Sequence, residues 1–469
     1  MEYRPSEENQ KFSLRKFESM LKTNNIVFFD SNEFENIIHH YLEIGKVALA
    51  KKAIKLGLDQ HPTSVNLKLF QVEILIFEDN LSEADKILTA LFQLEPSNEE
   101  LYIQKANIHS KRDQHETAIE VFKKALTFSQ DSSEIHSLIG MEYLFLDNYK
   151  DAKIHFMKCI DLNLEDYSSL YNVIYCFEFL DQTHEAIAYL NWYLDQNPYC
   201  EVAWHQLGKQ YLEIKALEKA VTAFDFAIIS DDTFIGAYLE KAKVLEQLRE
   251  YEEAINHYNI CMAIEGPTAF SYLKIGQCYE YMNLPEKALE FYYKSVEQDA
   301  AYDEGWMKIS SFYYIKKDFL KALFYINSAI DLDSENSKYW LLYAKINERL
   351  NYLEEAERGY KQTLESGEIS INTWLSRGDI LIKLGELEAA KYNFIQALEH
   401  HPKSEEIEFR ISGICLSLNQ SEAGFAHLLT ALYLNADHVF ILEELFPNIY
   451  QQKEVLNFIE SFKNSSNQI

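Results

Sequence analysis

The stretch that decides the fold is WHQLGKQYLEIKALEKAVTAFDFA, residues 204–227. In its first half, Trp204, Gly208 and Tyr211 are separated by four and three residues, which places them on one face of a helix. The second half repeats that spacing in a small, an aromatic and a second small residue: Ala220, Phe224 and Ala227. Because small residues let two backbones approach and aromatic rings fill the space beside them, the stretch predicts an antiparallel helix pair.

The alanine of this stretch recurs with a fixed period of 34 residues. Steps of 34 in both directions reach alanine every time: Ala50, Ala84, Ala118, Ala152, Ala186, Ala220, Ala254, Ala288, Ala322, Ala356 and Ala390. One further unit is expected at Ala423, shortened by one residue in its turn. Composition alone does not place one residue type at one phase eleven times, so the sequence predicts about twelve helix–turn–helix repeats.

Two further places in the repeat are restricted in size. Sixteen residues before the alanine the side chain is large, as in Phe34, Tyr102, Trp204, Tyr238, Trp306, Trp340 and Trp374. Twelve residues before it the side chain is usually small, as in Ala106, Gly140, Gly208, Ala242, Gly276, Ser310, Ala344 and Gly378. One such pair cannot bury its apolar face alone, so stacked pairs would share a continuous core in an all-α solenoid.

These residues resemble the signature of the tetratricopeptide repeat family, in which a large residue, Leu-Gly and Tyr precede Ala, an aromatic, a small residue and Pro. The resemblance covers residues 31–435. It implies a right-handed superhelical α-solenoid of about twelve 34-residue repeats. It also implies a concave groove lined by the second, fifth, ninth, twelfth and thirteenth residues of each repeat. We call the surface formed by these places the groove face.

Three repeats depart from the rule of a small residue twelve places before the alanine. Repeats one, two and five carry larger side chains there: Ile38, Val72 and Ile174. Repeat five also carries Tyr193 where repeat six has Ala227. Since larger side chains at a site of close approach push helices apart, we expect a kink or looser packing near residues 166–200.

The segments outside the repeats are predicted to be caps. Asp30 with Glu33 three residues later predicts a helix start with a capping box. Residues 1–30 are therefore expected to form a tail and a capping helix, with docking onto a partner as the alternative use. For residues 436–469 we expect two capping helices and a short disordered tail: His438–Leu445, Gln452–Phe462 and Asn464–Ile469.

Composition limits the classes of function. The net charge of −30 disfavours nucleic acid and anionic lipid as partners, although solubility is its simpler meaning. Six cysteines without a C-x-x-C pair, a polar N-terminus and the lack of an 18-residue apolar run predict a cytoplasmic protein. The segments outside the repeats are too short for a catalytic domain, and nucleotide, zinc and hydrolase motifs are absent. We therefore predict no enzyme, cofactor, metal or small-molecule substrate.

Apolar and aromatic residues occupy the groove face of repeats two, four and five: Leu69, Phe77, Met141, Leu144, Phe145, Tyr171, Tyr175 and Phe179. Phe77, Phe145 and Phe179 share the thirteenth place. Exposed aromatic residues in a concavity are typical of anchors for a partner. The alternative is that these residues pack against neighbouring repeats.

Lysines follow the same face in repeats six to ten. Lys209, Lys243 and Lys345 fall at the ninth place, and Lys274 and Lys308 fall at the sixth, on its edge. Five lysines along one inner track would steer an acidic partner segment. The alternative is an ordinary solvated face.

The sequence thus predicts a non-enzymatic scaffold or adaptor that binds a protein or peptide with apolar anchors and an acidic stretch. Two alternatives stay open: an accessory subunit that docks on a folded enzyme or larger assembly, and a self-associating repeat protein. Some family members grip the C-terminal carboxylate of a chaperone with lysines at the fifth place. This chain has none there, so capture of such a tail is not expected.

Overall fold

The computed structural model describes residues 7–23, 27–129 and 132–466. Among these residues the chain forms helices and no strand, which confirms the all-α fold class. The chain divides into two compact units, Met1–Phe234 and Ile235–Ile469.

In the first unit the described residues form a leading helix, α1 (Glu7–Thr23), followed by helix pairs. The pairs are α2 (Ser31–Glu43) with α3 (Val47–Gln60), α4 (Val65–Phe77) with α5 (Leu81–Phe92), α6 (Glu99–Lys111) with α7 (His115–Ala125), α8 (Ser133–Phe145) with α9 (Tyr149–Leu162), α10 (Tyr167–Phe179) with α11 (Thr183–Gln196), and α12 (Glu201–Glu213) with α13 (Leu217–Ser230). Each pair corresponds to one 34-residue repeat of the sequence.

The second unit continues in the same way. Its pairs are α14 (Ile235–Leu248) with α15 (Tyr251–Glu265), α16 (Ala269–Tyr281) with α17 (Pro285–Gln298), α18 (Asp303–Ile315) with α19 (Phe319–Leu332), α20 (Ser337–Arg349) with α21 (Leu353–Glu365), α22 (Ile371–Leu384) with α23 (Leu387–His400), and α24 (Glu405–Ser417) with α25 (Ser421–Asn435). A 3-10 helix (Ala436–Val439), α26 (Phe440–Leu445), α27 (Pro447–Tyr450) and α28 (Lys453–Ser466) follow. Because α28 extends to Ser466, the disordered tail expected from Asn464 is wrong for its first residues; residues 467–469 lie outside the described part.

One residue in the turn inside every pair adopts the left-handed backbone conformation. These residues also recur every 34 positions, with φ between +53° and +80°: Gly45, Asp79, Asp113, Asp147, Asp181, Lys215, Arg249, Asn283, Lys317, Asn351, Gly385 and Asn419. Asn, Asp and Gly, which tolerate this conformation best, fill most of these places. The left-handed residue closes the first helix and turns the chain into the second.

This marker corrects the register of the last repeat. The buried alanine lies five residues after the left-handed residue in every earlier pair, and five residues after Asn419 lies Gly424, which is buried. Ser412 Oγ donates a hydrogen bond to the Gly424 carbonyl at 2.9 Å, as Ser310 Oγ does to the Ala322 carbonyl at 2.7 Å. The expected shortening at Ala423 is therefore wrong, and glycine replaces alanine at an unbroken period.

The two helices of each pair meet at the small residue of the first helix. A Cβ atom added to Gly208 would lie 2.4 Å from the ring of Phe224, and one added to Gly276 would lie 2.6 Å from the ring of Tyr292. Phe224 is fully buried. The small residue and the ring therefore fill one space, and the close packing at this point sets the distance between the two helices.

Repeats one, two and five, which carry larger residues at this place, have fewer close backbone approaches within the pair than the other repeats. Repeat five has the fewest by far. There Ile174 is buried, and the fully buried Tyr193 donates its hydroxyl hydrogen bond to the carbonyl of Leu164. Two large side chains thus hold α10 and α11 apart, which confirms the expected looser packing; the kink stays a prediction.

Both chain ends pack on the outermost pairs of their own units. On α1, the fully buried Phe17 contacts the rings of Phe29 and Phe34, and Ser13 Oγ donates to Glu33 Oε1 at 2.7 Å. Glu33 also accepts a hydrogen bond from the backbone N–H of Asp30 at 2.9 Å, which confirms the capping box. These contacts are those of a capping helix.

The C-terminal helices cover the groove face of the last repeat. Phe446 packs directly on Gly413, at the ninth place of α24, so closely that a Cβ there would lie 2.2 Å from its ring. Phe409 and Leu416, at the fifth and twelfth places, are buried as well. The groove face is therefore closed at this end of the second unit.

Residues Ser421–Leu445 are long and apolar enough to cross a membrane, judged by length and composition only. The same test is met by core helices of other folds. Here the stretch comprises α25, the 3-10 helix and α26, and Gly424, Leu428, Ala431 and Leu432 of α25 are buried in the core of the last pair.

We predict that Gly208→Ile will loosen the sixth repeat. The new side chain would meet the Phe224 ring, and overpacking of this kind costs about 1–3 kcal/mol. Amide hydrogen exchange in α12 and α13 should accelerate accordingly. The comparison variant is Gly208→Ala, whose Cβ also meets the Phe224 ring but which should accelerate exchange less, because alanine already occupies this place in repeats three, seven and ten. Equal protection of both variants would contradict the role of the contact.

Candidate partner-binding site

A cavity of about 490 Å³ opens on the groove face of repeats four to six. It brings together four residues predicted from sequence, namely Leu144, Tyr171, Tyr175 and Lys209. The remaining lining residues are Asp147, Tyr149, Asn172, Ile174, Glu178 and Gln206. We call this cavity the aromatic pocket.

The wall of the aromatic pocket is built mainly by α10. Tyr171, Tyr175 and Phe179 are spaced four residues apart, so they form a ridge on one face of this helix. The rings of Tyr175 and Phe179 lie 4.6 Å apart. The ring of Phe179 in turn stacks on Tyr149 of the preceding repeat, with centroids 4.6 Å apart and planes inclined by 15°. Ring contacts thus hold Tyr175 and Phe179 in place, while Tyr171 and Tyr175 each stay partly exposed.

Hydrogen bonds position the polar groups around the pocket. The Tyr149 hydroxyl donates to Asp147 Oδ1 at 2.9 Å, and this bond raises the pKa of Tyr149. Burial raises the pKa of Tyr171, whose hydroxyl is hydrogen-bonded with Gln206. Both phenols are therefore neutral at physiological pH, able to give or accept a hydrogen bond at the pocket edge.

Lys209 supplies the positive charge of the aromatic pocket. Its side chain is exposed, and among the described residues no carboxylate lies within 4 Å of its amine. Glu178, across the pocket, instead accepts a hydrogen bond from Gln210 Nε2 at 2.8 Å. The pocket thus offers an apolar wall, amide and phenol groups, and one available cation.

Three of the four aromatic residues at the thirteenth place share one kind of contact. Each of the three stacks on a ring at the seventeenth place of the preceding repeat: Phe145 on His115 at 5.0 Å, Phe179 on Tyr149 at 4.6 Å, and Tyr281 on Tyr251 at 5.5 Å. Tyr281 was not predicted from the sequence, although it stands at the thirteenth place of its repeat like Phe145 and Phe179. Phe77 has no ring contact among the described residues and is 72% exposed.

Two other predicted anchors behave differently. Met141 is partly exposed on the groove face at the ninth place of α8. Leu69 is buried in the core formed with Leu88 and Leu101, so the expectation that it is an exposed anchor is wrong. The reason is that α6 packs directly against α4 and covers the fifth place of repeat two.

Three of the predicted lysines in the second unit contact carboxylates: Lys243 with Glu240 at 2.7 Å, Lys274 with Glu246 at 3.9 Å, and Lys308 with Glu280 at 3.1 Å. Glu246 and Glu280 also accept hydrogen bonds from Tyr258 and Tyr292, in the second helices of their own repeats. Lys274 and Lys308 therefore link one repeat to the next. Lys345 is exposed.

A second cavity, of about 310 Å³, opens on the groove face of repeats one to three and was not predicted from the sequence. Its lining residues are Glu35, His39, Asn66, Leu69, Phe70, Glu73, Glu100 and Gln104. We call it the carboxylate pocket. The available signal was the occurrence of glutamate at the fifth, ninth and second places of three successive repeats.

Across the described residues, no group of three or more histidine, cysteine, aspartate and glutamate side chains is arranged to hold a metal ion. The cysteines are all buried and free. Burial raises the pKa of the Cys176 and Cys261 thiols to about 11, which keeps them protonated. These thiols are packing residues of the helix pairs.

The architecture and its groove face define a helical-repeat protein with an apolar, partly charged binding surface. The sequence model of the tetratricopeptide repeat matches four segments of the chain, residues 99–132, 133–166, 271–302 and 371–400. The same period of 34 residues continues through the helix pairs between and around them. The chain thus contains tetratricopeptide repeats.

A curated relative is anaphase-promoting complex subunit 3 of Schizosaccharomyces pombe, 24% identical over 156 residues. The match covers 33% of this chain and 24% of the relative, so the chain spans about a quarter of that protein's length. Two similar solved structures are the MamA protein (20% identity, 37% of this chain, 94% of that chain, TM-score 0.33) and a repeat protein of Parabacteroides merdae (12% identity, 52% and 97%, TM-score 0.41). A third, YrrB, described as a tetratricopeptide repeat protein with an unusual peptide-binding site, is 14% identical over 38% of this chain and 92% of its own, with a TM-score of 0.31.

The aromatic residues at the thirteenth place could anchor a partner or pack on the preceding repeat, and the ring stack allows the packing role to be tested. We predict that Phe179→Ala destabilises the fourth and fifth repeats, because ring pairs contribute about 0.5–1.5 kcal/mol beyond their buried area. Phe77→Ala removes a similar ring without a ring partner and should leave stability almost unchanged. Thermal unfolding and hydrogen exchange of both variants check this; equal losses would show that the stack does not contribute.

Proposed function

We propose that this protein is a non-enzymatic scaffold or adaptor of the cytoplasm. It holds a segment of a partner protein on the groove face of its first unit. The observation that carries the proposal is the aromatic pocket, where Tyr171, Tyr175 and Lys209 converge around one cavity. Pockets that combine aromatic walls with a few polar groups are typical of ligand and peptide sites.

The expected partner is an extended or helical segment with apolar or aromatic anchors. An anchor would pack against Tyr175 and the exposed side of Phe179, since exposed rings held rigid by neighbours lose little entropy on binding. Asn172 and Gln206 supply amide groups for the partner backbone. Lys209 would pair with an acidic residue of the segment. Lys243, Lys274 and Lys308 are already paired with carboxylates of the protein, so we do not assign them to the same acidic stretch.

An accessory subunit of a larger assembly is the second candidate. The match to a subunit of the anaphase-promoting complex favours it, as do large apolar residues on the outer helices of the second unit, such as Phe324 and Tyr392, each 66% exposed. Such a subunit would need an intact folded domain of its partner. A binder of linear segments retains a short peptide cut from that partner.

We predict that Tyr171→Ala with Tyr175→Ala weakens partner binding at least about tenfold, since buried aromatic anchors commonly contribute 2 kcal/mol or more. The partner would first be captured with the full chain and identified by mass spectrometry, and its affinity then measured by calorimetry. The control is Tyr199→Ala, a more exposed tyrosine of the same unit outside the pocket. Unchanged affinity of the double variant, or an equal loss in the control, would refute this site.

A further inference from the structure

The groove face of the first unit changes character along its length. In repeats four to six it is aromatic and carries the available Lys209. In repeats one to three it carries glutamates around the carboxylate pocket, beside the apolar side chains of Leu69 and Phe70. Both pockets lie on the same face of successive first helices, so one bound segment would pass both.

Lysine and arginine do not neutralise the carboxylates of this pocket, and the one basic side chain in its described lining is His39. No lysine or arginine is among the described residues that line it, and none lies within 4 Å of Glu35, Glu73 or Glu100. Glu100 accepts a hydrogen bond from Gln104 Nε2 at 2.7 Å, and Glu35 accepts from Asn66 at 3.3 Å. Both donors are neutral amides, which satisfy an oxygen but leave its charge in place.

Electrostatic repulsion accumulates around Glu100. Burial raises the pKa of its carboxyl; the Gln104 hydrogen bond opposes that rise, and the charges of Glu134, Glu73 and Glu99 add to it. Burial likewise raises the pKa of Glu73, while nearby His39 lowers it. A cationic group placed among these oxygens would favour their ionised forms and oppose both rises in pKa.

From this charge complementarity we propose that the carboxylate pocket binds a lysine or arginine side chain of the same partner segment whose apolar anchor occupies the aromatic pocket. The inference rests on the proposed function and specifies the partner: a segment with a basic residue toward repeats one to three and its anchor toward repeats four to six.

The shape of the pocket fits such a side chain. The half-buried Phe70 offers apolar surface to the methylene stem of lysine or arginine, while Glu73 and Glu100 face its charged head. The ring of Phe70 is fixed by an edge-to-face contact with His39 at 4.8 Å. A guanidinium would bridge two carboxylates through its several N–H groups, which favours arginine over lysine.

The contrast with the second unit supports this assignment. There, Glu246 and Glu280 on the first helices are each satisfied by a lysine of the next repeat and a tyrosine hydroxyl. The fold thus readily neutralises glutamates that serve packing. The glutamates of the carboxylate pocket have no such partners, which is the arrangement expected of a surface that meets its counter-charge in another molecule.

The test is a selection of short random peptides, displayed on phage, on the immobilised full chain. Three further proteins are treated alike: Glu73→Gln with Glu100→Gln, Tyr171→Ala with Tyr175→Ala, and a control, Glu116→Gln with Glu120→Gln. The control removes two exposed charges from α7 in the same unit. Glutamine keeps the size of glutamate and one accepting oxygen, and the pocket glutamates have no lysine or arginine partner to lose, so the variant should fold.

We expect peptides retained by the wild-type chain and the control to carry an arginine or lysine at a fixed distance from an aromatic or apolar residue. The Glu73/Glu100 variant should lose the basic preference but keep the apolar one. One selected peptide, measured by fluorescence anisotropy, should bind this variant about tenfold more weakly at low salt, with a smaller difference at high salt.

Two results would overturn the inference. Retained peptides with apolar anchors but no basic preference, or with a basic preference that survives Glu73→Gln and Glu100→Gln, would reject the carboxylate pocket and leave the aromatic pocket standing. Failure to retain any peptide, with the Tyr171/Tyr175 variant indistinguishable from wild type, would reject the proposed function and this inference together.

Discussion

The structure depends on one contact, the close approach of two helices where a small residue faces a large ring. Gly208 against Phe224 is the clearest example, since even a Cβ atom would collide there. The contact sets the distance between the helices and leaves each pair with an apolar face that only another pair can cover. The 34-residue period reflects this contact in the sequence, because nine of the twelve pairs supply a small residue at the same place.

Relaxing that contact changes the local surface. In repeat five, Ile174 and Tyr193 replace small residues, and α10 stands away from α11. The aromatic pocket opens beside α10, with Ile174 and the tyrosines of the ridge in its wall. The departure from the repeat and the candidate site thus fall on one helix. A uniform array offers the same surface at every step, so a distinctive site requires a repeat that breaks the pattern.

Features determined within one repeat could be predicted from the sequence. Features that depend on contacts with the next repeat could not. The helix pairs, the capping box at Asp30 and the looser packing of repeat five follow from residues within or beside one repeat. The burial of Leu69 and the ion pairs of Lys274 and Lys308 depend on the next repeat, whose orientation no periodicity encodes. The register of the last repeat was missed because Ala423, next to Gly424, imitates the expected residue, and only the left-handed turn at Asn419 separates the two.

The glutamates of the groove face differ in whether their partners lie within the protein. A net charge of −30 is compatible with simple solubility, and much of it lies on exposed faces. The groove-face glutamates are informative because of their partners rather than their number. Glu246 and Glu280 are paired with lysines within the fold and join successive repeats, whereas Glu73 and Glu100 repel each other across a cavity whose described lining holds no lysine or arginine. A cationic group of a partner would offset that repulsion, so this arrangement on the groove face points to a partner of opposite charge.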